Sequence, residues 1–193
     1  MARKTETSDR ILNAVLELAP ITGWGGLSMA EIVAEADVSL DVAYGLFPTK
    51  SSLLAGLLTR VDRKVLAEGP ADPEEPVRDR LFEVVMRRFD ALGPNRNAIA
   101  AILRGLPADP VAGLDMAPRF ANSMAWMLEA AGLSANGIKG TLRIKGLALI
   151  YLATLRVWLG DDSEDQARTM AALDSNLKRA ERWANDATAL FRR

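Results

Sequence analysis

The chain has 193 residues, which is enough for one helical core or for a small module joined to a larger one. Hydrophobic residues make up 49% of it, with more Ala and Leu than Val and Ile, so the composition predicts an all-α protein. A net charge of −1 gives no general attraction to nucleic acid or to an anionic membrane, and the lack of Cys and His excludes thiol nucleophiles, imidazole bases and the usual zinc sites.

The first predicted helix follows a polar start that carries Arg3 and Lys4. Thr7 or Ser8 can cap this helix, and it should end near Gly23. Its apolar residues recur at the helical spacing, namely Ile11, Leu12, Val15, Leu16, Leu18 and Ala19. Arg3 and Lys4 are therefore expected on a flexible arm ahead of the helix.

Two short helices are predicted next, joined by a short turn. The hydroxyl of Ser28 can accept a hydrogen bond from the backbone of Glu31 while Glu31 reaches back, a capping box that starts the second helix at about Met29. Ser39 can cap a third helix over roughly residues 40–45. This spacing is that of a helix-turn-helix, although a small helical subdomain with packed Ala, Val and Leu residues would give the same pattern.

A Phe-Pro pair separates the third helix from a longer fourth helix. Pro48 cannot continue a helix, and it excludes the α conformation for Phe47. Thr49 can then cap a helix with the apolar residues Leu53, Leu54, Leu57, Leu58 and Val61. We therefore predict a head of residues 1–50 and a body of residues 51–193.

Four motifs lie within residues 7–58: I-L-N-A-V, G-L-S-M-A-E-I, A-D-V-S and Y-x-x-F-P-T-K-x-x-L. They resemble the DNA-binding head of the TetR family of bacterial transcriptional regulators. The resemblance implies a TetR-like fold in which the third helix enters a groove of double-stranded operator DNA. It implies phosphate contacts from Tyr44, Lys50 and Ser28, help from Thr49, and a groove-facing stretch of Ser39, Leu40, Asp41 and Val42.

The predicted head is weakly charged for a DNA-binding surface. Residues 1–60 contain five basic and seven acidic side chains, and the third helix has neither Lys nor Arg. Asp41 is repelled by DNA unless it accepts a hydrogen bond from a cytosine amino group. DNA binding is thus expected to need a dimer, which doubles the basic patch, together with Arg3 and Lys4.

Beyond an acidic, proline-rich connector after Leu66, five more helices are predicted, at about 77–92, 95–106, 115–131, 136–159 and 163–192. On the first of them, Arg87, Arg88 and Asp90 are expected to face solvent.

Large or adaptable apolar side chains on these helices predict a pocket for a small apolar or lipid-like effector. They are Met86, Phe89, Phe120, Met124, Trp126, Met127, Leu147, Tyr151 and Trp158. Each of them can equally be an ordinary core residue. Three bases in an otherwise apolar helix can meet the head group of an effector or pair with Asp115 or Glu129, and these are Arg143, Lys145 and Arg156.

The last predicted helix carries a seam of Met170, Leu173, Leu177, Ala180, Ala184, Ala187 and Phe191. Alternating steps of three and four bury such a stripe against another helix. The seam can pack within one subunit. Because TetR-like bodies dimerise through their last two helices, the resemblance favours a four-helix interface in a homodimer.

Residues 142–183 contain an apolar helix ending in Trp158, an acidic turn with Ser163 and a helix ending in R-x-W. They are similar to the C-terminal region of the lipid-binding accessory protein of ubiquinone biosynthesis, which has a TetR-like fold without being a repressor. Two functions remain open: a ligand-responsive transcriptional regulator of the repressor type, and a TetR-fold lipid-binding protein that does not bind DNA. The F-P-T-K motif favours the regulator.

Neither an enzymatic nor a membrane function is predicted. Asp161 and Asp162 fall in an expected surface turn, where nothing raises a carboxyl pKa for acid–base catalysis. No phosphate-binding loop or metal-ligand spacing is present, so no catalytic residue, metal or cofactor is expected. The polar start, and Arg156 within the short apolar stretch 146–160, predict a cytoplasmic chain without stable membrane insertion.

Overall fold

The structure, a computed structural model, describes the backbone of residues 2–190 and the side chains of residues 5–183. This part of the chain contains α-helices and two single 3₁₀ turns, and no strand, which confirms the predicted all-α class. The helices are α1 (Ala2–Thr22), α2 (Met29–Glu35), α3 (Leu40–Leu46), α4 (Lys50–Ala67), α5 (Val77–Leu92), α6 (Arg96–Gly105), α7 (Pro110–Ala130), α8 (Gly137–Trp158) and α9 (Ala167–Leu190). The 3₁₀ turns are Gly93–Asn95 and Leu106–Ala108.

Three helix starts differ from the predictions. Helix α1 begins at Ala2, so the backbone of Arg3 and Lys4 is helical rather than part of a flexible arm. Helix α7 begins at Pro110, because proline suits the first helical position and the Asp109 carboxylate accepts a hydrogen bond of 3.0 Å from the backbone N–H of Ala112. Helix α9 begins at Ala167, because Gln166 has a φ of 54° and cannot be helical.

The chain divides into two compact units. One, called the head unit below, comprises residues 1–61 and 92–119, and the other, the body unit, comprises residues 62–91 and 120–193. Helix α6 and the first half of α7 thus group with the predicted helix-turn-helix. The boundaries fall inside the continuous helices α4 and α7.

The head unit has its own apolar core, contributed mainly by α1, α2, α4 and α6. Its most buried large side chains are Ile11, Val15, Trp24, Ile32 and Leu53. Helix α4 approaches the core closely at Gly56, where a Cβ atom would lie 2.7 Å from Cε1 of Phe47 and 3.1 Å from Cδ2 of Leu12. Only glycine therefore fits at position 56 without displacing the neighbouring side chains.

The core of the body unit is built around aromatic rings. Phe89 stacks on Tyr151 with ring centroids 5.2 Å apart and an interplanar angle of 6°. Trp158 lies 5.7 Å from Phe89, and Phe120 lies 5.7 Å from Tyr151. Helices α8 and α9 pack on each other, with Leu173 and Leu177 buried. The rings thus lie in the interior of the body unit, among the residues for which the sequence predicted an effector pocket.

Candidate functional site

The predicted capping box at the start of α2 is present. The Glu31 N–H donates to the Ser28 hydroxyl oxygen at 3.2 Å, and the Ser28 N–H donates to the Glu31 carboxylate at 2.8 Å. The Ser28 hydroxyl also donates to this carboxylate, at 2.6 Å. These bonds lower the pKa of Glu31, first through the side chain and then through the backbone of Ser28. Ser28 would have to leave Glu31 to donate its hydroxyl proton to a phosphate.

The turn between α2 and α3 depends on Arg10, for which the sequence motifs predicted no role. Asp37 has a left-handed φ of 49°, a conformation that is uncommon for residues other than glycine. Nη2 of Arg10, on α1, donates to the carbonyl oxygens of Ala36 at 2.5 Å and of Asp37 at 2.6 Å. Arg10 thereby holds the end of α2 and the turn in place through backbone atoms.

Helix α3 presents several uncovered apolar side chains in the described structure. Ser39 caps it by accepting a hydrogen bond of 3.3 Å from the Val42 N–H, while Ala43 on the opposite side is fully buried. The exposed fractions are 57% for Leu40, 43% for Val42 and 70% for Tyr44. Asp41 is exposed as well. The structure therefore brings the predicted groove-facing residues together on an accessible surface.

The connection from α3 to α4 has the predicted Phe-Pro geometry. Phe47 has φ −136° and ψ 83°, outside the α region, and its ring is buried in the head core. The Thr49 hydroxyl accepts a hydrogen bond of 3.1 Å from the Ser52 N–H, and the Ser52 hydroxyl accepts one of 3.2 Å from the Thr49 N–H. The predicted cap of α4 is thus confirmed as a reciprocal one.

Lys50, the predicted phosphate contact, points toward the head itself. Its ammonium group donates to the backbone carbonyl of Trp24 and lies 4.4 Å from the centroid of the Trp24 ring. Burial lowers the pKa of Lys50, whereas the charges of Asp109 and Glu31 raise it. An approaching phosphate would have to compete with these contacts for the ammonium group.

The remaining bases of the helix-turn-helix segment are also engaged or undescribed. Arg60 donates to the Asn13 side-chain oxygen at 2.7 Å and to the Asp9 carbonyl at 3.2 Å. The side chains of Arg3 and Lys4 lie outside the described residues. Positive charge available for phosphates is therefore scarce in the described part of this segment.

Comparisons with known proteins bear on the identity of this arrangement. No protein-family model and no curated protein matches the sequence. The TetR transcriptional regulator of Nitrosomonas europaea has a similar structure, with a TM-score of 0.71, 26% sequence identity, and coverage of 90% of this chain and 97% of that chain. The chain has the TetR fold.

Two further solved structures support this fold. A TetR transcriptional regulator of Rhodococcus sp. RHA1 gives a TM-score of 0.62 at 23% identity, over 89% of this chain and 94% of that chain. The multidrug binding protein EbrR, solved in complex with imidazole, gives a TM-score of 0.57 at 24% identity, over 88% of this chain and 93% of that chain. The TetR regulators among these matches are not enzymes, in agreement with the sequence-based prediction.

The body unit of this TetR-fold chain contains a buried ion pair, in contrast to the solvent-facing position predicted for Arg88. Arg88 was expected to face solvent, but it is 2% exposed and pairs with Asp62, which also accepts a hydrogen bond of 2.7 Å from the Ser123 hydroxyl. The Arg88 guanidinium lies 5.2 Å from the centroid of the Tyr151 ring. Burial raises the pKa of the Tyr151 hydroxyl, while Arg88 lowers it. Residue spacing could not reveal a charge partner on another helix.

Most residues predicted to line an effector pocket are buried in the body unit. Phe89, Met124, Met127, Leu147, Tyr151 and Trp158 are buried, Met86 and Phe120 are partly buried, and Trp126 is 53% exposed. A cavity of about 720 Å³ lies elsewhere in the body unit and shares only Leu147 with this set. Asp115 pairs with Arg119, and Glu129 accepts a hydrogen bond from the backbone of Ala135.

The predicted interface seam on α9 is partly used within the chain. Leu173 and Leu177 are buried, Met170 is partly exposed and Ala180 is exposed, whereas the side chains of Ala184, Ala187 and Phe191 lie outside the described residues. Helix α8 has a clearer uncovered face, with exposed fractions of 84% for Ile138, 65% for Leu142, 70% for Leu149 and 48% for Leu152. These residues follow one another at intervals of four, seven and three positions, the helical spacing that indicates an apolar face in a sequence.

Two absences concern only the described residues. They contain no group of three or more Asp and Glu side chains placed to hold a metal ion. No helix among them is both long enough and apolar enough to span a membrane.

The turn predicted to be at the surface is partly buried. Asp161 has no exposed area, and its carboxylate accepts hydrogen bonds from the N–H and the hydroxyl of Thr169 at 2.8 and 2.6 Å, and from the same groups of Ser163 at 3.2 and 2.5 Å. Burial acts to raise the pKa of Asp161, but these bonds hold it well below its usual range. Its role is to fix the turn before α9.

Proposed function

We propose that this chain is a transcriptional regulator of the repressor type, which binds double-stranded operator DNA as a homodimer and responds to a small apolar or lipid-like effector. The observation that carries the proposal is the uncovered surface of α3, with Leu40 and Tyr44 more than half exposed on a helix that is capped by Ser39. Exposed apolar groups on a fixed helix suit contact with thymine methyl groups and sugars in the major groove. The TetR regulators with this fold support the same role.

The weak charge of the head defines the expected mode of binding. Few available bases mean few phosphate contacts, so the affinity should fall only modestly with salt, since each neutralised phosphate adds about 0.9 to the log–log slope. Sequence recognition then rests more on base contacts from α3. Asp41 is suited to accept a hydrogen bond from a cytosine amino group.

Binding to the DNA flanking the gene for this chain, compared with random DNA of equal length, tests the proposal. Lys50→Ala should weaken binding to all sequences alike, because a phosphate contact carries no sequence information, whereas Asp41→Asn should change the preferred sequence. Lys64→Ala is the matched control, because this exposed lysine lies at the other end of the same helix. Equal affinity for both DNAs would contradict the proposal.

The homodimer is proposed to form through α8 and α9, where Ile138, Leu149 and Leu152 leave an apolar face uncovered in the isolated chain. Sedimentation should give twice the chain mass for the wild type and a monomer for Leu149→Glu. Val111→Glu, at a residue that is 75% exposed on α7 in the head unit, should remain a dimer. A monomeric wild type would contradict this part of the proposal.

The effector response is proposed to pass through α4, which is continuous across the boundary between the units. The similarity to the multidrug binding protein EbrR, solved in complex with imidazole, supports a small-molecule effector for this chain. An effector can change DNA affinity only if it binds the DNA-competent and incompetent states differently, and DNA must then change effector affinity by the same factor. Titrating the chain with DNA at fixed effector concentrations, and with effector at fixed DNA concentrations, tests whether the two affinities change by the same factor.

The alternative is a lipid-binding protein that does not bind DNA, and the arrangement of Lys50 favours it. An ammonium group engaged by the Trp24 carbonyl and ring is less accessible to phosphate than a free one. If the chain binds an apolar ligand but binds neither flanking nor random DNA, the alternative replaces the regulator.

A further inference from the structure

We propose that the cavity between α5, α7, α8 and α9 binds an amphipathic carboxylate, whose alkyl part fills the cavity and whose head group is recognised by Arg143. This names the chemical class of the effector and so rests on the proposed function. The cavity differs from the aromatic cluster around Tyr151 that the sequence suggested, and it shares only Leu147 with the residues predicted to line a pocket there. All of its described lining belongs to the body unit.

The size and lining of the cavity suit an alkyl chain. Its volume of about 720 Å³ falls within the usual range of roughly 300–1,000 Å³ for small-molecule sites. Its walls are mostly aliphatic and come from all four helices and the segment after α7, including Leu81, Leu128, Leu133, Leu147, Ile150 and Leu177. Burying an alkyl chain against such walls removes apolar surface from water, which favours binding.

The charges lining the cavity favour an anion. They come from Arg78, Arg143 and Glu181, so one positive charge remains in excess among the described lining residues. Arg78 donates to Asp79 at 3.1 Å, and its pKa is raised by Asp79 and, to a smaller degree, by Glu181. Arg143 donates to the Ser134 carbonyl at 3.0 Å and forms no ion pair with a described carboxylate. Its other N–H groups remain suited to a carboxylate, which arginine can bind in a bidentate manner.

A glycine keeps one wall of the cavity open. Gly146 lines it, and a Cβ atom at this position would meet no other atom within 4 Å. A Cβ atom at this position therefore meets no clash, and a longer side chain attached to it would take up space in the cavity. Position 146 gives a means of filling the cavity that leaves Arg143 unchanged.

Calorimetric titration of the full chain with decanoate, decanol and decyltrimethylammonium tests the proposal. Decanoate should bind about tenfold more tightly than decanol, a ratio of the order found for charge-assisted hydrogen bonds, and the cationic probe should bind more weakly than either. Arg143→Gln should lose this tenfold preference while keeping decanol binding. Lys145→Gln removes an exposed charge two residues away that does not line the cavity, so it should leave all three affinities unchanged.

Gly146→Leu should abolish binding of both decanoate and decanol, because the new side chain occupies the cavity. Gly113→Leu is its control, since a Cβ atom at Gly113 also meets nothing within 4 Å but this residue lies in the head unit. Circular dichroism of each variant verifies the fold. Unchanged decanoate binding in Gly146→Leu, or equal losses of decanoate and decanol in Arg143→Gln, would overturn the proposal.

Two further outcomes separate this proposal from others. If Gly146→Leu converts a dimer into a monomer while decanoate binding is unaffected, the cavity belongs to an interface with a second copy and the proposal is overturned. DNA binding is measured in parallel on the same samples. Decanoate binding without DNA binding rejects the regulator and keeps the site, whereas DNA binding without decanoate binding rejects the site and keeps the regulator.

Discussion

The head and body units each hold a basic side chain against an aromatic ring, with different partners. In the head, Lys50 is half-buried, and its ammonium group contacts the ring and backbone carbonyl of Trp24. In the body, Arg88 is buried beside Tyr151, and its partner is the carboxylate of Asp62. In the head, the ammonium group of Lys50 thus has a neutral hydrogen-bond partner and remains partly accessible to water. In the body, the guanidinium group of Arg88 is paired with a carboxylate and is shielded from water.

This difference separates the two units energetically. A half-exposed cation whose hydrogen-bond partner is a neutral carbonyl can leave that partner without stranding a buried carboxylate, so the Lys50 contact should break at little cost in stability. A buried cation cannot leave its carboxylate without a large desolvation penalty for the charge left behind. The Lys50 contact can therefore be exchanged at a smaller cost in stability than the Arg88–Asp62 pair, which maintains the body unit.

The largest expected effect is at the buried pair. Arg88→Met should lower the free energy of unfolding by about 3–5 kcal/mol, because Asp62 is left without its partner. Urea unfolding measures the loss. Arg88→Met combined with Asp62→Leu should recover most of it, since no lone charge remains.

Lys178→Met is the control for this pair, because Lys178 and Asp174 form an exposed ion pair. It should cost no more than about 1 kcal/mol. An Arg88→Met cost as small as that of Lys178→Met would remove the contrast between buried and exposed charges.

The next effect concerns packing in the head. Gly56→Ala should destabilise the chain by about 1–3 kcal/mol, because the new methyl group would meet Phe47 at 2.7 Å and Leu12 at 3.1 Å. This loss should exceed the gain of about 1 kcal/mol from helix propensity. Gly45→Ala, where a Cβ atom meets nothing within 4 Å, should not destabilise. Thermal unfolding of both variants tests whether close packing, rather than charge, maintains the head.

A smaller effect is expected on how the free energy of unfolding depends on pH, through Asp161 in the body unit. The pKa of Asp161 is depressed in the folded chain, so its contribution is present above its ordinary value of about 3.8 and is lost as the pH falls toward the folded value. Between pH 7 and pH 3, the wild type should lose about 1 kcal/mol more than Asp161→Asn. Urea unfolding at both pH values tests this, with the exposed neighbour Asp162→Asn as control. Equal losses in the wild type and Asp161→Asn would contradict the assignment.

The smallest effect is at the turn of the head. Asp37→Gly should be at least as stable as the wild type and about 1 kcal/mol more stable than Asp37→Ala, because glycine adopts the left-handed φ without strain. Losing the Asp37 carboxylate should cost little, since its side chain is fully exposed and Arg10 keeps both carbonyl contacts. A marked loss in Asp37→Gly would show that the exposed ion pair matters after all.

Local signals allowed much of the fold to be predicted. The caps at Ser28, Ser39 and Thr49 and the extended Phe47 depend on neighbours within four residues, so the sequence contains all the information they need. Helix α5 begins and ends at the predicted residues for the same reason, since its apolar spacing is regular.

Long-range contacts could not be predicted in this way. Arg10 holds carbonyls 26 and 27 positions away, and Arg88 finds Asp62 26 positions earlier. The position of the apolar cavity likewise depends on which faces of four helices meet. Large side chains such as Tyr151 and Trp158 are buried in the core, whereas the cavity is lined mostly by smaller aliphatic side chains. Spacing along one helix carries no information about such partners.

The positions of the tryptophans give each unit its own spectroscopic probe. Of the four tryptophans, Trp24 is the one in the head unit, and it lies under the Lys50 ammonium group, while Trp183 lies at the cavity. Biosynthetic incorporation of 5-fluorotryptophan would give a ¹⁹F resonance from each of the four indoles. The Trp24 resonance would move when phosphate draws the ammonium group away, and the Trp183 resonance would move when the cavity fills. One labelled sample could therefore follow events in both units during a single titration.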